Sequence, residues 1–268
     1  MPESELKVGH FDSHDHSQEE HPQLSIEKVD IQVRNLIEAI LTNRTDFLGN
    51  GLTAEVYIPE ESEKICFKIC CYREVLGKNP PKSSIRTTTT FEPSHPKYGY
   101  HSPDTEGTFL QELHTLSKEV DIPNPCCWAI YKQTDDGDTY STKELIYVLA
   151  MERLDAVSIK DVIEKRAVLP TTFNFETFFK KLRVFISKMH EKGIYHRDLH
   201  EGNIMIDDNG NPCVIDFGKA ARGFGDDVYD IDYREGGQLR KGKLTSDEEY
   251  VNQVERLLIK HMTKDTTV

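Results

Sequence analysis

Two short motifs near residue 200 constrain this chain more than any other feature of its sequence. The first runs from His196 to Asn203 as HRDLHEGN, and the second is DFG at 216–218, so that the two aspartates stand 18 positions apart. Asp198 offers a carboxylate on a loop, Asn203 offers an amide oxygen, and Asp216 offers a second carboxylate. One carboxylate that orients a hydroxyl, together with two oxygen ligands for magnesium, is what phosphoryl transfer requires.

These motifs, in this order and at this distance, resemble the signature of the protein kinase superfamily. The resemblance implies an α+β, two-lobed protein kinase-like fold, with a small antiparallel-sheet N-lobe and a reduced helical C-lobe. It implies ATP and Mg²⁺ as cofactors, with Asp198 as the catalytic base and Asn203 and Asp216 as the metal ligands. Arg197 would bind a phosphorylated residue of the following loop, with Tyr229 and Tyr233 as candidates. The alternative treats both aspartates as ordinary turn residues.

A glycine-containing turn and a lone lysine lie upstream, where the resemblance requires them. Residues 47–57 follow the pattern GxGxxAxV, and the resemblance implies that Gly49, Asn50, Gly51, Ala54 and Val56 bind the nucleotide. Ala54 stands where the family usually has a third glycine. Lys68 is the single cation of an alternating apolar strand over 65–70, which favours a lysine that contacts the α- and β-phosphates. The alternative is a lysine that extends to water from an edge strand.

A buried lysine needs a carboxylate partner, because an unpaired buried charge is costly. The spacing of apolar residues predicts a helix over 108–116, and the resemblance implies that this helix supplies the partner. Glu112 is the preferred residue, since it lies beside the apolar face. Glu106 is a weaker candidate, because the neighbouring Gly107 indicates that the helix has barely begun. A solvent-exposed Glu112 is the alternative.

Residues 74–107 are rich in proline and threonine and predict a flexible insertion. Between residues 72 and 102 this segment carries five Lys or Arg against two Glu, although the whole chain has a net charge of −13. A docking or regulatory segment and a solvated loop without a role both fit that composition.

Strands are predicted over 127–131 and 145–151, around a polar turn. The resemblance makes the next residues the hinge that contacts adenine, through Met151, Glu152 and Leu154. Helices are predicted over 158–166 and 174–192, the second with an apolar stripe that belongs in the core. A capping box at 246–249 opens a final helix, and the segments 224–229 and 233–237 are predicted to be loops.

The predicted organisation is a disordered acidic tail with several histidines at 1–28, an N-lobe at 29–151 and a shortened C-lobe at 152–268. No APE motif follows DFG. The chain therefore resembles minimal or truncated kinases, such as the kinase-like effectors of bacterial pathogens and small atypical kinases. His14 and His16 in the tail could hold a metal ion, although disorder is the preferred interpretation.

The acidic composition argues against a nucleic-acid partner, and no apolar segment is long enough to span a membrane. Six cysteines without a CxxC pair predict reduced structural thiols in a cytoplasmic protein, or in one delivered into a host cell if it is an effector. The predicted partner is a protein substrate, which makes the chain a Ser/Thr protein kinase. His200 stands where such kinases usually have lysine, so a small-molecule kinase of the aminoglycoside or choline type is the alternative. A kinase-fold binding module without catalysis is the third hypothesis.

Overall fold

The computed structural model of the protein describes residues 3–11, 26–42, 55–58, 64–77, 103–116, 120–136, 140–223, 230–235, 238–243 and 246–265. The chain divides into two compact units. The first unit comprises residues 1–108 and 125–153, and the second comprises residues 109–124 and 154–268. Each unit has its own β-sheet.

The first unit is an antiparallel five-stranded sheet in the order β1-β4-β5-β3-β2. Its strands are β1 (Glu3–His10), β2 (Glu55–Tyr57), β3 (Ile65–Gly77), β4 (Pro125–Asp136) and β5 (Tyr140–Glu152). Two helices accompany the sheet in sequence, α1 (Ile26–Thr42) and α2 (Pro103–His114), and the residues of α2 after Thr108 belong to the second unit. The predicted strands over 127–131 and 145–151 are confirmed within β4 and β5.

Successive side chains of β3 lie on opposite faces of the sheet, and those on one face form part of the core of this unit. Ile65, Phe67 and Ile69 are buried on one face, in a cluster that also includes Val33 and Leu36 of α1. Successive side chains of a strand point to opposite faces, so Lys68 belongs to the other face. The strand therefore separates an apolar face covered by α1 from a face that carries the one lysine of its buried segment.

Two segments of the first unit that were predicted to be disordered or flexible are ordered in part. The tail predicted to be disordered over 1–28 contains strand β1, which pairs with β4 from Glu3 opposite Thr134 to His10 opposite Cys127. The insertion predicted over 74–107 is ordered at both ends, because residues 74–77 belong to β3 and residues 103–107 to α2. Residues 12–25, which include His14 and His16, and residues 78–102 lie outside the described part of the chain.

The described residues of the second unit include the helices α3 (Ile159–Ile163), α4 (Phe175–Glu191) and α5 (Asp247–Asp265). A three-stranded sheet joins β6 (Ala156–Ser158), β8 (Ile204–Asp207) and β9 (Pro212–Val214). Two short pairs complete it: β7 (Ile194–Tyr195) with β10 (Ala221–Arg222), and β11 (Asp230–Glu235) with β12 (Gln238–Lys243).

Local sequence explains where the helices of this unit begin and end. The side chain of Ser158 accepts a hydrogen bond from the amide of Asp161, and that of Asn174 accepts one from Thr177, so both helices have side-chain caps. Helix α4 ends before Gly193, whose φ of 68° lies in the left-handed region that favours glycine. The predicted apolar stripe of α4 is fully buried: Phe178, Phe179, Leu182, Phe185, Ile186 and Met189.

The end of the chain differs from expectation in one place. The segment 233–237 was expected to be a loop, but residues up to Glu235 form β11 and pair with β12. The final helix is confirmed as α5, with Val251, Val254 and Leu258 buried. The predicted α+β class is confirmed, because the described residues combine an antiparallel sheet with helices in two compact units.

Most of the described cysteine side chains are buried. Among the described residues, Cys66, Cys127 and Cys213 are free thiols. Burial raises the pKa of Cys66 to about 11 and that of Cys127 to about 12, so both thiols stay protonated and unreactive. Within the described ranges, no helix combines the length and the apolar character needed to cross a membrane.

Candidate active site

The loop 196–203 links β7 to β8 and is held in an unusual backbone conformation. Arg197 has a φ of 65°, and Asp216, which follows β9, has a φ of 63°. Left-handed backbone is uncommon for residues other than glycine and costs about 1–3 kcal/mol when the surroundings enforce it. Two of the three described non-glycine residues in this region are thus predicted site residues.

Asp198 is the predicted base, and its carboxylate lies beside two nitrogen donors. The Nζ atom of Lys219 is 2.8 Å from its Oδ2 atom, and the Nε2 atom of His200 is 4.0 Å from the same oxygen. The Nδ1 atom of His200 accepts a hydrogen bond of 3.0 Å from the amide of Gly202, which places the ring proton on Nε2, towards Asp198. The sequence analysis did not identify Lys219, whose only signal was its position directly after DFG.

Asn203 and Asp216 offer hard oxygen ligands of the kind that magnesium prefers. The Nδ2 atom of Asn203 donates to the carbonyl of Asp198 at 2.9 Å, so the amide oxygen is the end of the side chain that can meet a cation. The Oδ1 atom of Asp216 accepts from the amide of Gly218 at 3.2 Å. One carboxylate and one amide suit Mg²⁺, which usually takes few protein ligands and completes its shell with water and phosphate oxygens.

A metal site built from protein side chains alone is absent from the residues that the structure describes. None of them form a group of three or more His, Cys, Asp or Glu side chains that could enclose a cation. Asn203 and Asp216 supply oxygen donors and neither a thiolate nor an imidazole, so their donor set does not fit a structural zinc site.

Asp247 anchors the loop 196–203, and the sequence analysis assigned it only to a helix cap. Its Oδ2 atom accepts from the amide of His196 at 2.8 Å, and its Oδ1 atom accepts from the amide of Arg197 at 2.7 Å. The Nε2 atom of His190 lies 3.0 Å from Oδ2. Burial alone would raise the pKa of Asp247, but these hydrogen bonds, that of His190 first, hold its pKa below the ordinary value. The only signal in the sequence was an aspartate directly after the cap residue Ser246.

His196 fills the interior of the same loop. Its ring lies 4.6 Å from the ring of Phe217, and its Nε2 atom is 3.0 Å from the carbonyl oxygen of Ile215. Complete burial lowers the pKa of His196, which keeps the ring neutral. The histidine of the first motif and the phenylalanine of the second therefore pack against each other, which joins the two motifs in one structure.

The charged pair of the first unit differs from the prediction. The Nζ atom of Lys68 lies 2.7 Å and 2.8 Å from the two carboxylate oxygens of Glu106, and both side chains are buried. The prediction that Glu112 is the partner of Lys68 is wrong. Helix α2 begins at Pro103, five residues earlier than expected, so that Glu106 and Gly107 lie within it. Proline suits a first helical position, and this signal could have corrected the prediction.

Glu112 has a different role, because its carboxylate pairs with the guanidinium of Arg222 in β10. The same guanidinium lies 5.5 Å from the centre of the Phe109 ring. Helix α2 is thus tied through Glu112 to the strand that follows DFG, which is a contact within the second unit.

The remaining predicted nucleotide residues are only partly described. Gly49, Asn50, Gly51 and Ala54 lie outside the described residues. Val56 stands directly opposite Lys68 in the β2–β3 pair, which places both side chains on the same face of the sheet. At the end of β5, Met151 is buried, whereas Glu152 is exposed and Leu154 is half-buried.

A comparison with protein families finds that the protein kinase domain matches residues 108–229. This range contains the loop 196–203 and Asp216, and it excludes Lys68, Glu106 and Asp247. The family match therefore supports the motifs of the second unit directly.

Individual kinases are similar to shorter parts of the chain. A probable serine/threonine-protein kinase of Streptomyces coelicolor is 25% identical over 179 residues, which cover 67% of this chain and 22% of that protein. A serine/threonine-protein kinase of Saccharomyces cerevisiae is 35% identical over 115 residues, which cover 43% of this chain and 8% of that protein. CBL-interacting protein kinase 21 of Oryza sativa is 35% identical over 77 residues, with coverages of 29% and 13%. The chain thus spans about a fifth or less of the length of these relatives.

Proposed function

We propose that this chain, which resembles the protein kinase-like superfamily, is a phosphotransferase that transfers the γ-phosphate of ATP to a serine or threonine hydroxyl of a protein. The observation that carries the proposal is the arrangement around Asp198. A largely buried carboxylate, an ammonium 2.8 Å away and two magnesium-type oxygen ligands follow one another within a short stretch of the second unit. Such a set acts by positioning and by charge neutralisation, which are the main requirements of phosphoryl transfer.

Asp198 would orient the acceptor hydroxyl and take up its proton. Its position is fixed from both sides, because its carbonyl accepts from the side chain of Asn203 and its carboxylate accepts from Lys219. A base that is already oriented loses little entropy when the acceptor arrives. Asn203 and Asp216 would hold the magnesium ion, which neutralises charge on the phosphate groups when it is bound.

Lys219 would supply positive charge beside the base. His200 occupies the position where Ser/Thr kinases usually carry lysine, and the ammonium at Asp198 comes instead from a residue after DFG. A cation is useful there because negative charge on the transferring group and on Asp198 would otherwise repel each other. The ammonium of Lys219 would replace that of the usual lysine, and this supports the proposal of a protein kinase although residue 200 is histidine.

Lys68 would bind the phosphates of ATP, held in place by Glu106. A lysine is a flexible point charge, and two contacts to one carboxylate restrict its position. Mg·ATP binding would therefore depend on both members of the pair, as well as on Asp216.

A small-molecule kinase is the second candidate, and His200 beside Asp198 is the observation that favours it. Radiolabelled ATP separates the two functions. The purified chain is incubated with a protein extract and, in parallel, with a panel of aminoglycosides and choline, each with and without magnesium. We expect label on protein bands, only with magnesium and not with an Asp216→Ala variant. Label confined to small solutes would support the second candidate, and label in neither would contradict the proposal.

A further inference from the structure

We propose that the N-terminal strand positions Glu106 for Lys68 through a contact between Phe11 and Gly107 of α2. The inference rests on the proposed function, because the Lys68–Glu106 pair matters for activity only if Lys68 binds ATP. Phe11 and Gly107 are positioning residues in this scheme, since neither would touch the nucleotide.

The N-terminal segment forms an edge strand of the five-stranded sheet. Strand β1 pairs with β4 along its whole length, and the amide of Phe11 continues the ladder with a hydrogen bond of 3.2 Å to the carbonyl of Cys126. Leu6 and Val8 pack against the apolar cluster under α1. Because side chains alternate along a strand, Gly9 and Phe11 belong to the opposite face, which is the face of Lys68.

Gly9 in β1 and Gly107 in α2 each allow an aromatic ring to pack directly against the backbone. A Cβ atom on Gly9 would lie 2.4 Å from the indole of Trp128, so the indole rests on the backbone of β1. A Cβ atom on Gly107 would lie 2.0 Å from the Cζ atom of Phe11, so the Phe11 ring rests on the backbone of α2. Glycine is a poor helix former, and its place within α2 is explained by this close approach.

The contact lies one residue from the buried ion pair. Glu106 is 3% exposed, and its carboxylate reaches Lys68 at 2.7 Å and 2.8 Å. Hydrogen bonds of this kind weaken beyond about 3.2 Å, so a shift of the Glu106 turn by about 1 Å is enough to break them. The Phe11 ring therefore limits the movement of the turn that holds the catalytic pair together.

A second contact fastens the end of β1. The Nε2 atom of His10 lies 2.8 Å from the Oδ1 atom of Asp30 in α1. The residue before Phe11 is thus tied to the helix on one face of the sheet, while Phe11 itself meets the helix on the other face. The segment 3–11 thus contacts α1 and the first-unit part of α2, which suits an element that controls the position of α2.

Four full-length chains test the inference: wild type, Phe11→Ala, Gly107→Ala and the double variant. Calorimetric titration with Mg·ATP measures the binding affinity. Phe11→Ala should weaken binding by roughly tenfold, within the range of coupling between distinct sites. Gly107→Ala should weaken it at least as much, because the new methyl group overlaps the ring. In the double variant the ring is gone, so the affinity should equal that of Phe11→Ala.

Trp128 provides a readout that does not depend on ATP. It is the single tryptophan of the chain and lies on β1 at Gly9, so its emission should shift to the red when the strand leaves the sheet. Val8→Ala is the matched control, since it weakens the same strand on the face away from Gly107. We expect Val8→Ala to lower the melting temperature while Mg·ATP affinity stays at the wild-type value.

The outcomes separate this inference from the proposed function. If wild type does not bind Mg·ATP, the proposed function has failed, and the melting temperatures of the four chains still show whether Phe11 and Gly107 are coupled. If Mg·ATP binds equally well to all four chains, the inference is wrong while the proposed function stands. Strictly additive effects of Phe11→Ala and Gly107→Ala, or an equal loss in Val8→Ala, would also overturn it.

Discussion

The two units each bury a carboxylate almost completely, and they compensate its charge in different ways. Glu106 in the first unit is 3% exposed and meets an ammonium, whereas Asp247 in the second is 1% exposed and meets two backbone amides and a histidine. A lone buried charge is costly in both cases. In the first unit, the charge of Glu106 is compensated by one long, flexible side chain, that of Lys68. In the second unit, the charge of Asp247 is compensated mainly by backbone amides, which form a rigid anchor because the amides of a loop cannot move independently.

Because of this difference, we expect substitutions in the two units to affect different properties of the protein. The Lys68–Glu106 pair is expected to govern nucleotide binding, and to fail when either partner is lost. The Asp247 anchor is expected to govern the shape of the loop that carries Asp198, and therefore stability and turnover together. Substitutions in each unit test whether these two roles are separate.

The largest effect is expected from Asp198→Asn. The amide keeps the size of the side chain but cannot take up a proton, so turnover should fall by roughly 10²–10⁴. Mg·ATP affinity and the melting temperature should stay near wild type, because Lys219 is partly exposed and its ion pair with Asp198 adds little stability. Steady-state kinetics beside a thermal melt measures both. Asp208→Asn, on an exposed turn, is the matched control, and full activity in Asp198→Asn would refute the base assignment.

Lys68→Met and Glu106→Gln come next. Each single change removes one charge of this buried pair and should cost about 3–5 kcal/mol in the free energy of unfolding. Both should also abolish most Mg·ATP binding, and the double variant should lose little more, since residues that act as a unit are not additive. Urea unfolding and calorimetry supply the double-mutant cycle. Glu112→Gln is the control and should bind Mg·ATP normally; a loss there equal to that of Glu106→Gln would restore Glu112 as the partner.

Asp247→Asn should have a smaller effect on stability. The amide can accept from only one of the two backbone N–H groups of His196 and Arg197, and one buried donor without an acceptor costs about 1–3 kcal/mol. Turnover should fall as well, because Arg197 loses a contact that holds its left-handed backbone. Mg·ATP affinity should change less than turnover. Glu248→Gln, the exposed neighbour on α5, should leave all three quantities unchanged.

Acid should weaken the second unit in two steps. The lowered pKa of His196 means that the unfolded chain binds a proton that the folded chain does not, so stability falls as the pH drops below about 6.5. The lowered pKa of Asp247 contributes stability that is present above about pH 3.9 and is lost as the pH falls through the folded value. Urea unfolding between pH 7.5 and 3 measures both. The step at low pH should be missing from Asp247→Asn, and its persistence there would contradict the assignment.

The smallest effect is expected from Glu112→Gln. The pair with Arg222 is largely exposed, and such surface pairs contribute less than about 1 kcal/mol. The difference from wild type should vanish in high salt, because exposed charges are screened. Arg222→Ala should cost more than Glu112→Gln, since it also removes the contact with the Phe109 ring. Equal costs for both substitutions at every salt concentration would show that the ring contact contributes nothing.

Much of the fold could be predicted from local pattern. The apolar stripe of α4 follows a helical period, and the two apolar runs of β4 and β5 lie on either side of a polar turn, so these three elements appeared where expected. Strand β1 was missed because it lies in a polar, histidine-rich stretch with only two apolar residues on its inner face. Its pairing with β4 compensates for that weak local signal, since the ladder supplies backbone hydrogen bonds that composition does not reveal.

The candidate site shows the same division. Contiguous sequence alone determined the loop 196–203, the DFG segment and the lysine of β3, because their chemistry resides in residue types at short fixed spacings. Only the tertiary structure decided that Glu106 meets Lys68 across 38 positions, and that Asp247 meets His196 across 51. A buried charge is stabilised by an opposite charge or a hydrogen-bond donor within about 3 Å. Which residue lies at that distance depends on how distant elements pack, and no local sequence pattern contains that information.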